Sequence, residues 1–397
     1  MKPPPFEVAD IIRAHGNSFV DRNRSWLTWQ HLRVLSAIEH CRTAALGGHL
    51  DRCHQCGHET ISFNSCRSRH CPKCQTNARE KWLAARKEEL LPVKYVHVVF
   101  TIPHELSWLA LQNKKVVYDL LFHASAATLH EIAADPRHLG ADIGFLSVLH
   151  TWGQNLQVHP HIHCVIPAGG LSLDHQHWVH PRYAFFLPVK VLSRVFRGKF
   201  VAGLKRAFRE GTLLFPGKMK CLARQKAFHA FLRQLFRHDW VVYAKRPFGG
   251  PEHVLQYLAR YTHRVAISNH RIVNFADGKV TFRWKDYAHQ SKQRPMTVTA
   301  EEFLRRFLLH ILPRGFVRIR FSGFLANRRR GECLPLSKRL LGAALPPSAA
   351  TQDASLSKAI GAWLCPQCGG VMVLIEKLTP QQILRRSAQR ESFVDTS

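Results

Sequence analysis

Apolar positions along the chain fall into distinct periodicities. Over residues 1–50, Trp26, Trp29, Leu32, Leu35 and Ile38 recur near helical spacing and stop at Gly47-Gly48, which predicts helical structure there. Residues 53–74 lose the pattern and read as a cysteine-rich loop region. A charged helix is expected from Ala78 to Leu91, ended by Pro92. β-branched runs follow: YVHVVFTI (95–102), then, after a helical stretch from Leu106 to Ala134, IGFLSVLHTW (143–152) and LQVHPHIHCVIPA (156–168).

Residues 188–238 read as two basic helices and WVVYAKRPF (240–248) as a strand. Gly249-Gly250-Pro251 then leads into a helix, HVLQYLARYTHRV, with proline well placed near its start. Strand pairs are expected over 265–287 with ADG (276–278) as the hairpin turn. The tail from 301 carries one more helix, the basic stretch Arg328, Arg329 and Arg330, a Pro/Ser/Ala-rich linker (344–357) and a last CxxC; no internal repeat is visible. The fold class is α+β, and three regions are expected: 1–92, 93–300 and 301–397.

Composition sharpens this. With 46% hydrophobic and 10% aromatic residues over 397, disorder of the whole chain is excluded. No run reaches the ~18 apolar residues of a membrane span, and MKPPPFEVADIIRAHG has no apolar core for a signal peptide, so a soluble, cytoplasmic protein is expected. The 57 Lys plus Arg against 27 Asp plus Glu leave +30, which calls for a polyanion, nucleic acid first. Residues 192–246 alone hold fourteen Lys or Arg against Glu210 and Asp239, more than a solvated face needs.

Eleven cysteines, several in CxxC pairs, fit metal binding in a reducing compartment better than disulfides. Cys53-x2-Cys56 and Cys71-x2-Cys74, fourteen residues apart, can offer four thiolates to one structural zinc, although Cys66 or His70 could replace one of them. Arg67, Arg69 and Lys73 in that loop suggest nucleic-acid contact. Cys365-x2-Cys368 looks like half of a second ribbon whose other half is missing; a degenerate or a shared site is the alternative.

His159, His161 and His163 alternate along a strand and so share a face, where two imidazoles can hold a divalent ion beside a phosphate. Alone the signal is weak, since 26 histidines supply about two such triplets by chance and His175/His177 is another. Its company matters more. Tyr257 and Tyr261 lie four apart on one helix face, either as packing residues beside Val254 and Leu258 or as nucleophiles. A tyrosine can attack a phosphodiester and keep one side as an ester; a phenol with pKa near 10 needs metal or cationic help at neutral pH.

These residues carry a resemblance. HPHIHCVIPAGG contains the His-hydrophobic-His signature of HUH endonucleases at His161-Ile162-His163, and QYLARYTHRVAIS resembles the double-tyrosine helix of rolling-circle insertion-sequence transposases of the IS91/ISCR type. The likeness extends to the zinc segment (CHQCGHE…SCRSRHCPKCQ), VHVVFTIPHEL and RIRFSGFLANRRR, about residues 10–335 in order. It implies an HUH-type antiparallel sheet with flanking helices after a helical and zinc-ribbon region, His161 and His163 as ligands of Mg2+ or Mn2+, and Tyr257 and Tyr261 as nucleophiles. By the same resemblance the substrates are single-stranded DNA at element ends and target DNA, cut through a 5′-phosphotyrosine. The chain departs from related single-tyrosine enzymes in having Val265 where a third metal ligand lies one turn beyond Tyr261; Gln154, His159 and His253 are candidates. No GxxxxGK[ST] loop is found, so strand opening is expected from host replication or a helicase. Two other readings stay open: a non-catalytic zinc-ribbon nucleic-acid-binding protein, including a decayed transposase, and a metal nuclease using water.

Overall fold

A computed structural model describes residues 3–182, 186–248, 266–286, 289, 292–342 and 363–392. Its strands, in chain order, are β1 (Gly48–Cys53), β2 (Glu59–Phe63), β3 (Tyr95–Thr101), β4 (Ala141–Asp142), β5 (Gly144–Trp152), β6 (Val158–Pro167), β7 (Gly170–Ser172), β8 (Trp178–Val179), β9 (Val242–Phe248), β10 (Ile272–Ala276), β11 (Lys279–Asp286), β12 (Lys292–Thr299), β13 (Ile319–Gly323) and β14 (Met372–Leu378).

The central sheet is antiparallel, in the order β13-β5-β6-β3-β9. Strand residues alternate between its faces. Val96, Val98, Phe100, Phe145, Leu149, Ile162, Cys164 and Ile166 point into the main core, covered by the helices Lys114–Ala134, Val189–Arg209 and Gln225–Gln234. The basic helices expected over 188–238 therefore bury an apolar stripe: Phe196, Phe200 and Phe228 are fully enclosed. The opposite face holds a smaller apolar cluster (Tyr95, Leu146, Val148, Val165) with Trp82 packed against it. Beyond that cluster, toward the β5–β6 turn, this face becomes histidine-rich.

The predicted elements that recur in the structure are those with long apolar runs. The helix expected from Ala78 instead starts at Pro72, because Cys71 takes the N-cap place and proline suits the first helical position. The turn at Asp277-Gly278 joins β10 to β11 as expected, both residues having positive φ (49° and 66°). Sequence reading missed, among others, β1, β2, β12, β13, the helix Asn327–Leu340, β14 and the helix Pro380–Ser392.

Packing crosses the expected region boundaries. Val8, Ile11 and Phe19 from the first helix join Phe282 of β11 and Phe303 and Phe307 of the helix Ala300–Leu309 in one buried cluster. At the other end of the chain, β14 adds antiparallel to β1, giving a small sheet β14-β1-β2. Among the described residues no helix is long and apolar enough to cross a membrane.

Candidate metal centres and DNA-facing surface

The β5–β6 hairpin turns through residues 153–157, where the N–H of Gly153 donates to Gln157 O (2.8 Å). That register sets His150 opposite His161 and Val148 opposite His163, so His150, His161 and His163 share one face. One ligand nitrogen from each can be chosen so that all three lie within 4.8 Å of one another. Their ring contacts are tight: centroids are 4.5 Å apart for His150–His163 and 4.8 Å for His161–His163.

Neighbouring groups orient the imidazoles. Nδ1 of His161 donates to the carbonyl of His159 (2.6 Å), which leaves Nε2 as the lone-pair nitrogen. Nδ1 of His163 meets Nε2 of His97 on β3 at 2.8 Å, and the two rings stack. Trp152 stacks on His150. Burial, with His159 nearby, pushes His161 down to about 3; burial, then His150, His161 and His97, holds His163 well below the usual imidazole range. Neutral imidazoles are the form that binds metal. The donor set therefore fits a divalent cation.

Of the expected third ligands, Gln154 lies in the hairpin turn with its main-chain carbonyl accepting from Arg271, and His159 occupies an exposed strand position. His253 lies outside the described residues, as do Tyr257 and Tyr261. The structure supplies His150 instead, which sequence reading passed over although it stood in the expected strand IGFLSVLHTW.

The cysteines correct the expectation of a single Cys53-Cys56-Cys71-Cys74 site. Cys71 and Cys74 gather with Cys41 and Cys66, while Cys53 and Cys56 gather with Cys365 and Cys368. In the first group Cys74 Sγ lies 3.6 Å from the sulfurs of both Cys41 and Cys66. Cys71 is the N-cap residue of the helix Pro72–Lys87 and Cys74 sits in its first turn, so the start of this helix presents both sulfurs to one side. The split arises because Cys53 ends a strand paired to β14, which draws the CxxC turn away from the 66–74 loop. His70 is no replacement ligand: it is buried, and its Nε2 accepts from the N–H of Leu312 (3.2 Å).

Three of the five arginines expected to face DNA have internal partners. Arg69 donates to the carbonyls of Phe316 and Pro313, Arg329 to Asp142 (2.7 Å) and Arg330 to Glu89 (3.3 Å). These contacts fasten the zinc loop and the helix Asn327–Leu340 to their neighbours. Arg67 and Arg328 are exposed. Arg67 lines an open cleft with Arg42, His49, Phe63 and Trp363, a basic and aromatic surface suited to a backbone phosphate and a stacked base.

Comparison with known proteins decides the family. Residues 11–102 match a family profile described as "Transposase zinc-binding domain" and residues 144–332 one described as "Putative transposase". The chain is 56% identical over 346 residues, 87% of each chain, to a protein from Sinorhizobium fredii named "Putative transposase y4qJ". The chain belongs to the IS91 transposase family. A second relative, named "Transposase for insertion sequence element IS801" in Pseudomonas savastanoi pv. phaseolicola, is 27% identical over 84% of this chain and 80% of its own. No solved structure matches.

The transposase profile spans the β5–β6 hairpin and so contains His150, His161 and His163. The zinc-binding profile spans Cys41, Cys66, Cys71 and Cys74, in keeping with structural zinc in this transposase.

Proposed function

We propose that this transposase nicks and rejoins single-stranded DNA at insertion-sequence ends through a 5′-phosphotyrosine, with Tyr257 and Tyr261 as nucleophiles. The observation that carries the reading is the three-histidine cluster of His150, His161 and His163 on one sheet face. Its donor set is all imidazole, which suits a transition ion, Mn2+ included, better than Mg2+, whose preference for oxygen is the stronger. A bound divalent cation would polarise the scissile phosphate and offset charge on the departing oxygen.

The protein's own groups do the rest. The phenol oxygen of one tyrosine attacks phosphorus and releases its proton to solvent, the P–O3′ bond breaks, and the 3′ oxygen takes a proton as a free hydroxyl. The 5′ phosphate stays on the tyrosine. In rejoining, a 3′ hydroxyl attacks that phosphotyrosine and the phenol leaves. Two tyrosines four residues apart in the sequence would permit a second attack while the first still holds DNA. Exposed Arg67 and Arg328 and the overall +30 draw in the strand, and strand separation comes from host replication or a helicase.

The test is a denaturing gel of purified protein with labelled single-stranded element-end DNA and Mn2+. A covalent adduct that each single Tyr→Phe variant reduces, and that Tyr257→Phe/Tyr261→Phe abolishes, is the expected result. Cleavage with no adduct would turn the reading to a water-using nuclease, and intact bound DNA to a non-catalytic binding protein.

A further inference from the structure

Two CxxC turns separated by over 300 residues meet in space. Cys53 Sγ lies 3.4 Å from Cys368 Sγ and Cys56 Sγ 3.6 Å from Cys365 Sγ, and all four sulfurs fall within 4.8 Å of one another. Four thiolates at ~2.3 Å from one tetrahedral zinc stand roughly 3.8 Å apart.

The turns repeat each other. CHQCG (53–57) and CPQCG (365–369) share their spacing. In each the first cysteine's N–H reaches a carbonyl five residues on (His58, 2.8 Å; Gly370, 2.7 Å), and the glycine's N–H returns to that cysteine's carbonyl (3.1 and 2.9 Å). Gly57 and Gly369 hold nearly the same left-handed φ, 72° and 75°. Backbone N–H groups of Gln55, Gln367 and Gly370 point at the sulfurs of Cys53, Cys365 and Cys368, each at 3.4 Å. A side chain at Gly370 would meet Gln55 and the Cys53 sulfur, so the close approach needs glycine there.

Besides the β1–β14 ladder and the Arg386–Glu376 ion pair, apolar burial in this tail is small among the described residues: Leu50, Leu378 and Ile383 form one cluster and Met372 packs with Cys53 and Cys365, while Val373, Leu374 and Ile375 stay half-exposed. A module with so small a core needs a staple.

We propose that Cys53, Cys56, Cys365 and Cys368 bind a second zinc ion, a ribbon split between the two ends of the chain that clasps the C-terminal segment onto β1. Cys365 and Cys368 lie beyond both matched family segments. The clasp also brings Trp363, two residues before Cys365, to the cleft with Arg42 and Arg67. The site is independent of the histidine cluster and of the proposed reaction.

The test is metal content of the full chain, with Co2+ replacing zinc to separate thiolate sites from imidazole ones. Thiolate-to-cobalt absorption should correspond to two tetrathiolate sites and fall by half in Cys365→Ser/Cys368→Ser, with one equivalent of zinc lost. Cys368→His, which keeps a ligand, should retain the metal with a shifted cobalt spectrum; this holds the test open if the double variant folds poorly. Unchanged thiolate absorption in the double variant would overturn the proposal. So would an intact mass of zinc-free wild type, purified without chelator, four hydrogens light from two disulfides.

Discussion

His150 stands directly across the β5–β6 ladder from His161, their rings near perpendicular with centroids 5.4 Å apart. The pairing turns a two-histidine strand motif into a three-nitrogen site. His150→Ala should therefore weaken Mn2+ binding by at least tenfold to a hundredfold and reduce adduct formation in parallel. Gln154→Ala should leave both unchanged. Mn2+ titration followed by electron paramagnetic resonance reads the affinity directly; equal losses in the two variants would count against His150 as ligand.

His97 acts one layer out. Its Nε2 contacts Nδ1 of His163 at 2.8 Å and the two rings stack, which fixes the orientation of the His163 ring beside His150 and His161. His97→Ala should cost about tenfold in Mn2+ affinity, at the low end of what such outer partners contribute. His97→Asn, which can still hydrogen-bond, should recover part of it. A purely packing role would make the loss independent of hydrogen-bonding capacity.

The central sheet was legible in the sequence because β3, β5 and β6 are long, largely buried apolar runs, with histidines at alternate positions of one. His150 was hidden for a geometric reason: a strand pattern gives the face, and only the hairpin register gives the neighbour. The cysteine grouping failed similarly. Spacing favours the nearest pair, whereas Cys53 and Cys56 take their partners from Cys365 and Cys368 through the β1–β14 ladder. β14 carries half-exposed apolar residues on a three-stranded sheet, and the helix Asn327–Leu340 contains Pro335, so neither shows a clean period. The arginines carry a related lesson: charge is visible in sequence, but the carbonyls and carboxylates that occupy Arg69, Arg329 and Arg330 are not.

That difference among arginines is measurable. Arg67→Ala should lower affinity for single-stranded DNA and flatten the dependence of log K on log salt by about 0.7, the release of one counterion. Arg69→Ala should keep the wild-type slope and instead lower stability by about 2 kcal/mol, since its loss removes charge-assisted hydrogen bonds to the Pro313 and Phe316 carbonyls. Salt-titrated anisotropy and urea unfolding separate the two effects. A wild-type affinity that barely changed between low and physiological salt would exclude phosphate contact as the main attraction.

Acid should destabilise the protein through a buried histidine that is not one of the proposed metal ligands. His310 is buried, with Thr151 at Nδ1 (3.2 Å) and the Leu156 carbonyl at Nε2 (2.9 Å). Burial, against the opposing pull of that carbonyl and with Lys114 adding to the lowering, pushes it down to about 4 from 6.5. Because the folded value lies below the unfolded one, the unfolded chain binds the extra proton first. The stability tied to His310 is thus whole above pH 6.5, declines as pH falls from there, and is gone below about 4. One pKa unit is worth about 1.4 kcal/mol, so the loss approaches roughly 3 kcal/mol across that window. His310→Gln, neutral at every pH, should cost stability at pH 7.5 yet show a shallower decline between pH 6.5 and 4 than the wild type. Parallel profiles for the two proteins, measured by urea unfolding across that range, would show that His310 does not set the acid limit.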